Sequence, residues 1–71
     1  MATLTQAKRT IAKRVRARRR ELDLSQEQFA EKADLDVRHV QKIEAAEINM
    51  TLETLVKVAN ALKMTIGELV D

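Results

Sequence analysis

The chain has 71 residues, 45% of them hydrophobic and 34% charged, with a formal net charge of +2; this allows one small domain with a thin core and is far from the composition of a disordered chain. No cysteine and a single histidine exclude disulfide staples, thiolate sites and His-cluster metal sites, so neither a cofactor nor a metal is expected. Proline is absent and glycine occurs once, which argues against a turn-rich β architecture and for helices.

The N-terminus, MATLTQAKRT, lacks the apolar stretch of a signal peptide, and no apolar run approaches the ~20 residues of a membrane span. A cytoplasmic protein with no membrane partner is expected. Residues 1–10 read as a basic N-terminal extension or the start of a first helix, and residues 11–71 as the domain proper. The first helix is predicted from about Thr5 to Leu22, with Ile11, Val15 and Leu22 on one face and Leu4 extending that stripe weakly. Residues 1–20 hold Lys8, Arg9, Lys13, Arg14, Arg16, Arg18, Arg19 and Arg20 and no acidic residue, while residues 21–71 carry a net charge of −6. Such a block suggests a polyanion partner, most often nucleic acid. Its alternatives are a solvated helix face or a membrane-surface helix, the latter disfavoured by the lack of Trp and Phe in the segment.

Ser25 opens a second, short helix, with Gln28 completing a capping box, Phe29, Ala30 and Ala33 on the apolar face, and an end near Ala33. Asp34-Leu35-Asp36 makes the turn. Asp34 tolerates the left-handed conformation and Asp36 is a good N-cap. The third helix, about Val37 to Ala45, faces Val40 and Ile43 inward and presents Val37, Arg38, His39, Gln41 and Lys42. After a loop from Ala46 to Met50, Thr51 caps a fourth helix of about Leu52 to Leu62, with Leu52, Leu55, Val56, Ala59 and Leu62 on one face. Thr65 and Glu68 box a last short helix ending near Val70. The expected fold is all-α, a compact five-helix bundle. Two short helices across a three-to-four-residue turn, with small residues where they must cross, have the layout of a helix-turn-helix, whose second helix enters the DNA major groove. Generic two-helix packing is the alternative.

The segment LSQEQFAEKADLDVRHVQKIEAAEINMTLETLVKVANALKM resembles the phage-repressor-like, Cro-type (xenobiotic-response-element) helix-turn-helix family, and the likeness extends over about Ile11 to Val70. It departs at Asp23, Asp34, Ala46 and Lys63, where relatives usually have glycine after a helix end. It departs again at Met50, where proline is common. The loop after the third helix is therefore expected to differ, and Glu47 in it is unfavourable beside a phosphate. The resemblance implies a lambda-repressor-like DNA-binding domain in which Val37, Arg38, Gln41 and Lys42 face bases. Arg38 suits guanine, Gln41 adenine, Lys42 guanine or a phosphate, and Val37 a thymine methyl. Gln26 matches a residue that binds DNA phosphate at a helix N-terminus. Lys8, Arg9 and Asn49 are expected on the DNA backbone. His39 is open between backbone contact and packing on the first helix. Arg19 and Glu44 match an Arg–Glu pair that ties the first helix to the end of the third. Met64, Ile66, Leu69 and Val70 are expected to offer more apolar surface than a monomer needs, for a homodimer, though several of them must fill the core.

An enzyme is not expected. No nucleophile–base pair, G-x-G-x-x-G or Walker pattern is present, and no cleft of useful size is expected in 71 residues. The implied function is a transcriptional regulator that binds double-stranded DNA as a homodimer on a partly palindromic operator. Restriction–modification controller proteins are similar in size and build. With no room for a ligand domain, regulation is expected from protein concentration, operator layout or a protein partner. The rivals are a DNA-binding antitoxin with a toxin partner and a protein-interaction module that kept the fold.

Overall fold

A computed structural model describes residues 3–71 and contains five helices among them: α1 (Leu4–Glu21), α2 (Gln26–Ala33), α3 (Val37–Glu44), α4 (Leu52–Ala61) and α5 (Ile66–Val70). Each begins on a side-chain cap in extended backbone, namely Thr3, Ser25, Asp36, Thr51 and Thr65. The caps accept from free N–H groups of the first turn, and the pairs Thr3–Gln6, Ser25–Gln28 and Thr65–Glu68 complete capping boxes. α1 runs unbroken through residues 10 and 11, so residues 4–10 are the start of the first helix. Met1 and Ala2 of the basic N-terminal segment lie outside the described residues.

The first four helices end alike. Asp23, Asp34, Ala46 and Lys63, the four positions where the family pattern has glycine, have φ of 58°, 55°, 59° and 56°. At each end one N–H reaches back three residues and the next reaches back five, as in Leu24 N to Arg19 O (3.0 Å) and Met64 N to Ala59 O (2.9 Å). These are Schellman motifs, which turn the chain sharply and satisfy the last carbonyls.

α1 packs on α3 and α5, α2 on α3 and α4, and α4 on α5. Phe29, Leu62, Leu69, Val15, Val40 and Val58 are fully buried at the centre. Ala30 and Ala33 are buried too, which lets α3 and α4 approach α2 closely. The apolar stripe of α4 differs from the expected one. Leu52 and Val56 are exposed, and Val58 and Thr54 are buried with Ala59 and Leu62. α4 carries apolar residues around more than half its circumference, so spacing alone admits two neighbouring stripes. The stripe centred on Val58 is the one that meets the core.

Candidate nucleic-acid interface

α3 starts at Asp36, whose carboxylate accepts from the Arg38 N–H at 2.8 Å. Val40 and Ile43 bury one face. Arg38, Gln41 and Lys42, at i, i+3 and i+4, share the opposite face, are exposed, and make no side-chain hydrogen bond or ion pair among the described residues. Val37 and His39 are half-buried. Val37 packs against the edge of the core, so only part of its side chain is left to meet a base.

The end of α3 is held from two sides. Arg19 donates to Glu44 through Nε (2.7 Å to Oε2) and one terminal nitrogen (3.0 Å to Oε1), a bidentate pair with both side chains nearly buried. The other terminal nitrogen donates to the Leu24 carbonyl at 2.8 Å, so the same guanidinium also fixes the turn before α2. Gln26, the first residue of α2, donates its amide to Glu44 Oε1 at 3.3 Å. One carboxylate thus joins α1, α2 and α3 and sets the angle between the two helices of the motif. Gln26 keeps a second amide hydrogen to donate to an anion at the α2 N-terminus. No buried side-chain nitrogen or oxygen among the described residues lacks a partner.

The basic block of α1 has a role that the charge pattern did not reveal. Arg16 donates to the Glu44 carbonyl at the end of α3. Arg18 donates to the Leu62 carbonyl at the end of α4 (3.0 Å) and pairs with Glu21 (3.1 Å). Arg14 donates to the Glu68 carbonyl (3.3 Å) and to the Asp71 carbonyl at the end of α5. Three arginines of one helix therefore serve the C-terminal ends of its neighbours, where orphan carbonyls and the negative dipole end favour a cation, and Arg19 serves the Glu44 carboxylate. A sequence signal existed: Arg14, Arg16, Arg18 and Arg19 flank the inward positions of Val15 and Leu22, and all four are arginine rather than lysine.

Lys8, Arg9, Lys13 and Arg20 make no ion pair or side-chain hydrogen bond among the described residues. Lys8 and Asn49 line the same cleft between the first turns of α1 and the loop after α3, which brings two of the expected backbone contacts together. Arg9, next to Lys8 in sequence, is exposed. The expected dimer surface needs correction. Leu69 is fully buried in the core, and Met64 and Ile66 are half-buried against it. A thin domain draws its last helix inward to complete the core, so only Val70 of that set is openly exposed, at 42%. Leu52 and Val56 on α4 add exposed apolar surface that the sequence reading assigned to the core. A cleft of useful size was not expected, yet an open groove of about 790 Å³ lies between α1 and α5. Arg14 and Arg18 in its wall are engaged with backbone carbonyls.

A short helix fixed at both ends, presenting free polar side chains beyond a tight turn, defines a helix-turn-helix DNA-binding domain. The chain belongs to the helix-turn-helix family of Cro/C1 type, whose sequence pattern matches residues 15–69. This is a family of DNA-binding regulators. No curated protein matches the chain. No helix among the described residues is long and apolar enough to cross a membrane.

Proposed function

We propose that the protein is a transcriptional regulator that binds a partly palindromic operator sequence-specifically as a homodimer. Arg38, Gln41 and Lys42 read base edges in the major groove, with Val37 at the margin of that surface. Gln26, Lys8, Arg9, Asn49 and His39 hold the phosphate backbone. The observation that carries this reading is the freedom of Arg38, Gln41 and Lys42 on a helix whose far end is locked by the Arg19–Glu44 pair. A regulator needs a reading surface with no internal partner on a rigid support. Val70, Leu52 and Val56 are the apolar side chains that a second protomer would cover.

Selection of bound sequences from a random DNA pool tests the reading. Enrichment of an inverted repeat, with half-sites about one helical turn or a multiple apart, is the expected result. A pool that emerges unenriched would instead favour an interaction module that kept the fold.

A further inference from the structure

We propose that the cleft between α1 and the loop after α3 binds a short apolar carboxylate, and that this ligand and the operator exclude one another. The cleft encloses about 120 Å³. Ile11, Ile43, Ile48 and Leu55 are among its walls, and its lining contains only two polar side chains, those of Lys8 and Asn49. Lys8 is half-buried and has no anionic partner among the described residues, whereas Asn49 is exposed at the mouth. The walls specify the tail. A cavity of about 150 Å³ lined by aliphatic and aromatic side chains stays dry and takes up a benzene ring, so this slightly smaller one suits a tail of about four or five carbons. The polar pair specifies the head. The Lys8 ammonium, with no partner among the described residues, attracts an anion, and an exposed amide donates to it.

The place of the cleft gives the ligand its consequence. Ile43 is one of the inward residues of the helix proposed to read bases. Lys8 and Asn49 are both proposed to hold the DNA backbone, so the coupling rests on the proposed function while the binding does not. A carboxylate on Lys8 neutralises a charge that would otherwise meet a phosphate, and its tail lies against the loop that carries Asn49. The weakening is reciprocal, since DNA on Lys8 and Asn49 closes the site to the anion.

The binding is tested on the free protein, without DNA, by titrating isovalerate and its neutral twin isovaleramide and following the methyl resonances of Ile11, Ile43, Ile48 and Leu55. Saturable shifts confined to these methyls are expected, with isovalerate binding about fivefold more tightly than the amide, the worth of one half-exposed ion pair. Lys8→Gln should erase that preference and leave the pocket able to take either molecule. Ala7→Leu, which grows a side chain into the cleft, should abolish both. Equal affinity for acid and amide in the unaltered protein would overturn the proposal. Absence of saturation would do the same, as would shifts that follow protein concentration without ligand, which would mean that a second copy covers the cleft. The coupling is tested by operator titration with isovalerate against sodium chloride at matched ionic strength. Weaker operator binding in isovalerate alone is expected, and identical curves would overturn the exclusion even where the methyl shifts saturate.

Discussion

α1 and α3 are both basic helices, and by charge alone α1 is the better candidate for a polyanion. It carries eight cations within Leu4–Glu21, against two within Val37–Glu44. Their side chains reverse that ranking. Arg14, Arg16, Arg18 and Arg19 aim their guanidinium groups at protein carbonyls or at Glu44, whereas Arg38 and Lys42 have no partner among the described residues. A cation already donating to fixed acceptors has little left for a phosphate. Half of the α1 block therefore holds the bundle together, whereas both cations of α3 are free to act.

The comparison is broken most severely at Arg19 and Glu44. Glu44→Ala would leave Arg19 nearly buried and without its bidentate partner, and one-sided loss of a buried pair costs about 3–5 kcal/mol. A core of this size rarely supplies more than about 3–5 kcal/mol in total, so Glu44→Ala and Arg19→Ala should both be largely unfolded at 25 °C. Circular dichroism melts read this directly. Cooperative melting within a few degrees of the parent in both variants would show that the pair carries no structural role.

Arg38→Ala should have the opposite profile. Operator affinity should fall by about 1–3 kcal/mol, with preference relaxed at one base pair per half-site, while the melting curve stays in place. Competition titrations against single-base operator variants separate readout from general attraction. An equal loss on operator and random DNA would assign Arg38 to a phosphate and pass the reading role to Gln41 or Lys42.

The contrast inside α1 is more specific. Arg16→Gln removes a partly buried charged donor to the last carbonyl of α3, and such charged hydrogen bonds contribute about 1.5–3 kcal/mol. Lys13→Gln removes an exposed cation with no partner and should change stability by less than about 0.5 kcal/mol. Urea denaturation of the two variants side by side tests the division between engaged and free cations. Equal midpoints would reduce the α1 arginines to surface charge.

The fold was legible because its information is local. Ser25 with Gln28, Asp36, Thr51, and Thr65 with Glu68 mark helix starts within four residues, and the structure uses all of them. The free polar face of α3 was legible for the same reason, since Arg38, Gln41 and Lys42 fall opposite Val40 and Ile43 at helical spacing. Three-dimensional partners were not legible. Nothing in the neighbourhood of Arg14 or Arg18 in sequence indicates a carbonyl 44 or more residues away. Leu69 could not be sorted between core and surface for a related reason: a five-residue helix has too few turns to show which side meets the core. The dual stripe of α4 hid Val58 behind Leu52 and Val56, which have the same chemistry and differ only in which side of the helix meets Phe29 and Leu62.

The smallest expected effect lies at the helix ends, where α1 and α3 differ again. Both stop in a left-handed residue, Asp23 at φ 58° after α1 and Ala46 at φ 59° after α3. Aspartate reaches that conformation with local help from its short polar side chain, whereas alanine has only the clash of its Cβ, about 1–2 kcal/mol for an ordinary L-residue. Glycine removes the clash but brings more unfolded-state entropy, which offsets about 0.4–1 kcal/mol. Ala46→Gly should therefore stabilise the domain by about 0.5–1 kcal/mol, raising Tm by about 2–8 °C in a chain of this length. Lys63→Gly, at φ 56° after α4, should behave in the same way because its exposed side chain contributes no burial. Asp23→Gly should gain less than either. Calorimetric melts of the three variants rank them. If Asp23→Gly gained most, the strain would follow position rather than side chain; a loss of stability in Ala46→Gly would mean that the half-buried Ala46 methyl contributes more by packing than it costs in strain.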